Sequence, residues 1–134
     1  MQTPDPDRLA YILFTSGTTG EPKGVCIRHR AAMNTIADVN RKNHIHASDR
    51  TLALSSLAFD LSVYDCFGIW AAGGAVVLVD DADRMDPAVM SSLIMQHRVT
   101  VWNSVPVLFS LWLIYFATHF DRDCPIRHVF LSGD

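Results

Sequence analysis

Thr15-Ser-Gly-Thr-Thr-Gly-Glu-Pro-Lys-Gly24 follows the apolar run Leu9-Ala-Tyr-Ile-Leu-Phe14 near the start of the chain. Three glycines, three threonines, a serine and one lysine fall within those ten residues. Glycine permits positive φ and lets backbone N–H groups approach a ligand, while hydroxyls and an ammonium add donors for phosphate oxygens. A β-type run feeding a glycine loop also matches the place where open α/β sheets put their ligands, outside the carboxyl ends of the strands. The stretch is not a Walker A loop: counted from Gly17, the second glycine position holds Pro22, and Lys23 is followed by Gly24 rather than a hydroxyl residue. It is therefore either a phosphate loop of another kind or a plain connection rich in Gly, Thr and Ser. Lys23 favours the phosphate loop.

Outward from the loop, Leu9 to Phe14 predicts a strand and Val25-Cys-Ile27 a short second one, both apolar throughout. Between Arg30 and about Asn40, residues Ala32, Met33, Ile36, Ala37 and Val39 repeat with helical spacing, which leaves Asn34, Asp38 and Arg41 on the outer side. Lys42 to Arg50 is a polar loop, Thr51-Leu-Ala-Leu54 a strand and Ser55 to Asp60 a turn. A helix from Asp60 to about Ala72 is stopped by Gly73-Gly74, and Ala75-Val-Val-Leu-Val79 is the clearest buried strand in the chain. After an acidic loop, Asp86 as N-cap and Pro87 as first helical residue open a helix to about His97. Val99 to Trp102 is a strand, Asn103 to Pro106 a turn, Val107 to about Ala117 an apolar helix expected to be buried, and Arg127 to Leu131 a last strand. This alternation predicts an α/β fold, a mostly parallel sheet with helices on both faces. Residues 1–134 show no repeat or internal boundary, so one domain is expected.

Composition narrows the function classes. With 134 residues, 49% of them hydrophobic, the chain can bury a real core. Its net charge is −3 and its eleven Lys and Arg are scattered, which argues against nucleic acid or an anionic membrane as partner. Cys26, Cys66 and Cys124 lie far apart and form no Cys-x-x-Cys pair, so neither a disulfide framework nor a zinc ribbon is expected. The first residues carry no basic and apolar leader pattern, and the apolar run Val105 to Thr118 is shorter than the roughly eighteen residues a bilayer needs. A cytoplasmic setting is expected.

Several side chains could carry chemistry. Asp60 opens a predicted helix, and at about 100° per residue it shares a face with Tyr64 while Leu61 neighbours Tyr64 across one turn. A carboxylate there could hold an ammonium group, or it could cap the helix's free N–H groups. Asn103 leaves a strand before Ser104-Val-Pro106 and either caps the backbone or reads a substrate. His44 and His46 alternate as on a strand, but no third ligand stands near them, so exposed loop histidines rather than a metal site are expected. There is no Gly-x-Ser-x-Gly elbow.

The run from Leu9 to Gly24 resembles the signature phosphate loop of the adenylate-forming superfamily, and Leu57-Ala-Phe-Asp-Leu-Ser62 resembles the Phe-Asp-x-Ser motif of the adenylation domains of nonribosomal peptide synthetases. The likeness extends from about Leu9 to Asp134. It implies part of the large N-terminal lobe of such an enzyme, and a reaction in which an amino acid carboxylate and ATP give aminoacyl-adenylate and pyrophosphate. ATP and Mg²⁺ are implied, as is a peptidyl carrier domain whose phosphopantetheine thiol later receives the acyl group. Carried over, Thr15, Ser16, Gly17, Thr18, Thr19, Gly20 and Lys23 would hold the β- and γ-phosphates. Asp60 would pair with the substrate α-ammonium. Pocket positions fall on Asp60, Leu61, Tyr64, Asn103, Phe130 and Ser132, and Asp-Leu-Tyr-Asn resembles the opening of cysteine-activating pockets, so L-cysteine is the expected amino acid.

The resemblance has limits. The family's adenine motif, ribose-binding aspartate and C-terminal lobe with its catalytic lysine have no counterpart in these residues, so a single incomplete domain is expected. An acyl- or aryl-CoA ligase fragment, in which Asp60 meets no ammonium, and an inactive truncated product are the alternatives.

Overall fold

The computed structural model describes residues 5–15, 22–120 and 123–133. Strands β1 (Leu9–Thr15) and β2 (Lys23–Arg28) form an antiparallel pair, followed by helix α1 (His29–Lys42). Strand β3 (Arg50–Ala53) leads into a helical segment made of α2 (Leu61–Val63), a π-helical turn (Tyr64–Gly68) and α3 (Ile69–Ala71). Then come β4 (Ala75–Leu78), α4 (Pro87–His97), β5 (Val101–Ser104), α5 (Pro106–His119) and β6 (His128–Leu131).

β3 to β6 make a four-stranded sheet in the order β4-β3-β5-β6, parallel throughout. The alternation of strands and helices thus produces the expected α/β sheet, with the β1-β2 pair as a separate antiparallel ribbon. Local chemistry explains the boundaries. Asp86 accepts from the N–H groups of Ala88 (2.8 Å) and Val89 (3.4 Å) at the start of α4, where Pro87 has no N–H to satisfy. At the end of α3, Gly73 takes φ +81°, its N–H reaches Trp70 O at 2.9 Å and that of Gly74 reaches Ile69 O at 2.9 Å. This is a Schellman closure, and it needs a residue without Cβ in the left-handed position.

The core lies on both faces of the sheet. Leu52, Leu54, Val79, Met90, Ile94, Trp102, Leu108, Trp112 and Phe116 cluster where α4 and α5 cover one face. Ile45, Ile69 and Val101 form a smaller cluster on the other, supported by Tyr64, Ala72, Val76 and Phe130. Strand alternation makes the division: Val101 and Asn103 point one way, Trp102 and Ser104 the other, the latter two joined by a 2.7 Å hydrogen bond from Trp102 Nε1 to Ser104 Oγ.

Three expectations are corrected. β4 is not a buried strand: it forms the sheet edge, and Leu78 is 78% exposed, while every residue of β5 is buried. An apolar run looks the same whether its strand is central or lateral, and only the strand order separates them. Asn103 lies inside β5 rather than in a turn after it. α5 is not buried all round; Leu108, Trp112 and Phe116 pack inward while Val107, Leu111 and Ile114 are exposed. A helix laid on a sheet buries one stripe, and a uniformly apolar run gives no periodicity from which to read it. The β1-β2 ribbon is largely exposed, its apolar Leu9, Ile12, Phe14 and Val25 included. Among the described residues no helix is long and apolar enough to cross a membrane.

Candidate amino acid and nucleotide site

Strand order reverses at β3: the chain leaves it for β4 on one side and returns to place β5 on the other. Such switch points open a crevice beyond the carboxyl ends of the strands. A cleft of about 440 Å³ lies on this side of the molecule, between the helical segment and β5-β6 on one wall and β1, β2 and α1 on the other. Asp60, Leu61, Tyr64, Asn103, Phe130 and Ser132 all line it. Residues spread over more than seventy positions of sequence therefore share one cavity.

Asp60 precedes α2 with helical backbone angles, φ −63° and ψ −27°, and its carboxylate makes no capping bond. A capping Asp needs an extended backbone to fold its side chain over the first N–H groups, as Asp86 does with φ −90° and ψ 108°. The carboxylate of Asp60 is thus left at the cleft, with no donor to it among the described residues. Facing it is Tyr11 of β1, whose hydroxyl is pushed upward in pKa by burial and further by the charge of Asp60.

Tyr64 forms the floor. Its ring meets Phe130 edge-on at 5.6 Å, and its hydroxyl donates to Asn40 Oδ1 at 2.8 Å. Burial, with the nearby carboxylates of Asp49 and Asp65, pushes the phenol up to about 12, so it stays a neutral donor. Asn40 in turn donates from Nδ2 to Gly68 O at 2.8 Å, satisfying a carbonyl of the π-helical turn. That turn departs from the 100° spacing assumed from sequence, yet it begins at Tyr64, so Asp60, Leu61 and Tyr64 still reach one wall.

Asn103 is 3% exposed and its Nδ2 donates to Leu61 O at 3.2 Å and Asp65 Oδ1 at 2.8 Å. It ties β5 to the helical segment while still lining the cleft. The sequence admits either a backbone partner or a ligand wall; the backbone partner is present, and the position serves both.

At the loop base, Thr15 and Lys23 pair across the β1-β2 ladder, and Thr15 Oγ1 approaches Lys23 O at 3.5 Å. The loop therefore joins two antiparallel strands rather than a strand and a helix. Ser16, Gly17, Thr18, Thr19 and Gly20 lie outside the described residues. His46 and Ser48 meet at 2.9 Å, and among the described residues no group of three or more His, Cys, Asp or Glu is placed to hold a metal.

The pattern of the AMP-binding enzyme family matches residues 1–134. The chain belongs to that family. The "Anguibactin system regulator" of Vibrio anguillarum is 52% identical over 131 residues, which cover 96% of this chain and 12% of that protein. "Pyochelin synthetase PchF" of Pseudomonas aeruginosa is 46% identical over 129 residues, 96% of this chain and 7% of that one. Among solved structures, the nonribosomal peptide synthetase FmoA3 in its form bound to alpha-methyl-L-serine-AMP superposes with a TM-score of 0.87 at 44% identity. It is matched over 96% of this chain and 14% of that one. This member of the AMP-binding family thus spans a small part of the length of the relatives it matches.

Two residues of this AMP-binding chain escaped the sequence reading. Tyr11 sits in a run that is apolar throughout and so shows no alternation that marks its faces, and only the pairing with β2 and the approach of α1 turn it to the cleft. Asp65 lies five residues after Asp60 in a segment read as plain helix. An acidic residue amid Val63, Cys66 and Phe67 was the one available signal. It is 1% exposed, and burial pushes its carboxyl up to about 7 against the lowering effect of the Asn103 amide.

Proposed function

We propose that the chain carries the amino acid pocket and pyrophosphate loop of an adenylating site, that its amino acid is L-cysteine, and that it works as one part of a synthetase adenylation domain. The observation that carries this reading is the Asp60 carboxylate, unspent on capping, at a cleft lined by all six pocket positions. Its charge suits an α-ammonium, while Leu61, Tyr64 and Phe130 give the cleft an apolar interior for a small side chain.

In the reaction the substrate carboxylate oxygen forms a bond to the α-phosphorus of ATP as the bond to the β-phosphate oxygen breaks, giving aminoacyl-adenylate and pyrophosphate. Asp60 fixes the ammonium end, which orients the carboxylate away from the cleft floor. Lys23 and the Thr15 hydroxyl, at the loop base, offer charge and a donor to the departing pyrophosphate. Mg²⁺ would enter with the nucleotide phosphates, through which this ion commonly binds. The phosphopantetheine of a carrier domain is the expected acceptor of the acyl group. The relatives named for pyochelin synthesis and the aminoacyl-AMP complex of FmoA3 support this direction.

Titration of the purified chain with each of the twenty amino acids and with ATP·Mg²⁺ tests the reading. The expected result is that L-cysteine binds best, that Asp60→Asn lowers its affinity at least tenfold, on the order of the 1.4 kcal/mol that a charge-assisted pair supplies, and that 3-mercaptopropionate, which lacks the ammonium, is indifferent to that change. Preference for a large aliphatic or aromatic amino acid, or equal binding of the desamino compound, overturns it.

A further inference from the structure

Asp65 is buried beneath the cleft and takes no part in the proposed reaction. Its carboxyl touches a wall residue of the pocket: Oδ1 accepts from Asn103 Nδ2 at 2.8 Å, and the same nitrogen donates to Leu61 O at 3.2 Å. Leu61 O is a carbonyl with no proton to give, so the NH₂ end of the amide must face it, and Asp65 Oδ1 accepts from the same nitrogen. With both Nδ2 protons engaged, the end that Asn103 has left is Oδ1, an acceptor, to which no described residue donates. Asn103 lines the cleft beside Tyr64 and Phe130.

We propose that Asp65 is a positioning residue for side-chain selection: by holding the Asn103 amide in one orientation it presents a hydrogen-bond acceptor to the pocket, which then favours a substrate whose short side chain ends in a donor, a thiol or hydroxyl, over the isosteric methyl. This rests on the amino acid reading above. The arrangement holds in either protonation state. Asp65 Oδ2 is buried and makes no hydrogen bond of normal geometry among the described residues, although the Ser55 backbone N–H lies near the carboxyl, so Oδ2 can take up the proton while Oδ1 keeps its bond to Asn103. Without Asp65 the amide is held only by the longer of its two bonds, to Leu61 O, and turning its other end to the cleft costs that one bond alone, so it can offer either end to whatever enters. The favoured orientation is then lost although the pocket keeps its shape.

The test compares binding of L-cysteine with that of L-2-aminobutyrate, which carries a methyl in place of the thiol, by the wild-type chain, Asp65→Asn and Asp65→Leu. Wild type is expected to prefer L-cysteine by about tenfold, the value of one hydrogen bond. Asp65→Asn keeps that preference, because a carboxamide oxygen still accepts from Nδ2. Asp65→Leu reduces it to less than about twofold while binding L-2-aminobutyrate as before, a pattern that mere loosening of the fold does not give. Retained preference in Asp65→Leu overturns the proposal, as does a wild type that binds both compounds equally. A second measurement, hydrogen exchange of the ¹⁵N-labelled Asn103 side-chain amide in wild type and Asp65→Asn, needs neither ligand nor the leucine variant. Protected protons in both support the proposal and free exchange overturns it. A wild type that binds no amino acid defeats the amino acid reading instead, and leaves the exchange result to decide whether Asp65 holds Asn103.

Discussion

A Cβ placed on Gly68 would stand 2.5 Å from Cδ2 and 2.6 Å from Cε2 of Tyr64, so the missing side chain of one residue sets the ring position of the other. Both belong to the π-helical turn, and the ring is also fixed from α1 by the bond to Asn40. In Gly68→Ala the ring has to move, because a rigid phenol beside a helix backbone has little room to yield. The expected cost is about 1–3 kcal/mol of stability, as for other overpacked sites, together with weakened amino acid binding at the cleft that Tyr64 lines. Thermal unfolding and titration with L-cysteine check both, and unchanged binding would mean that the ring does not shape the pocket.

The buried carboxyl of Asp65 makes stability depend on pH near neutrality. Its folded pKa of about 7 stands above the ordinary 3.8. The folded chain therefore holds a proton that the unfolded chain has released, and stability falls as pH rises between those values. Below that window the penalty is absent; above pH 7 it is fully present, on the order of a few kcal/mol. Asp65→Asn has no charge to bury. Its stability relative to wild type should be small at pH 4 and grow until about pH 7, then level off. Denaturant melts at several pH values measure that difference, and a difference constant with pH contradicts this account.

Much of this architecture was legible because its signals are local. Asp86-Pro87 marks the start of α4, Gly73-Gly74 the end of α3, and the alternation of strands and helices the parallel sheet. What was hidden depends on partners distant in sequence. Leu78 and Trp102 both lie in apolar runs, yet one is on an edge strand and the other between two neighbours. The six pocket positions came from motif resemblance, and their meeting in one cleft could be seen only in three dimensions. Asp65 was invisible for a related reason: nothing in its neighbours says that a strand forty residues on will bring Asn103 against it.

A second buried carboxylate works in the opposite direction at the other end of the sheet. Asp49, 1% exposed, pairs with Arg127 and accepts from the Thr100 hydroxyl at 2.7 Å and the His46 N–H at 2.8 Å. Burial alone would raise its pKa, but the Arg127 guanidinium and these donors outweigh it and hold the carboxyl down at about 2. Its folded pKa lies below the unfolded value, so its stabilisation is complete above about pH 4 and is lost as pH falls toward 2. Removing the guanidinium in Arg127→Met leaves a buried charge without its partner, at a cost of about 3 kcal/mol or more. The acid transition of that variant should move to higher pH, which melts between pH 2 and 5 would show.

The two sides of α5 should respond differently to substitution although both are apolar. Trp112 is buried, packs against Trp102 with ring centres 4.8 Å apart, and donates from Nε1 to Ser91 Oγ at 3.1 Å. Trp112→Ala opens a cavity between α4, α5 and the sheet and leaves the serine without its donor, for an expected loss of about 3–5 kcal/mol. Ile114, on the opposite side, is 70% exposed, and Ile114→Glu removes almost no packing. Its stability should stay within about 0.5 kcal/mol of wild type. The same change puts a charge beside Val107 and Leu111, where an exposed apolar face favours association. Sedimentation of the two proteins at matched concentration should then show less self-association for Ile114→Glu. A large loss of stability in that variant would place Ile114 inside the core and contradict the one-sided packing of α5.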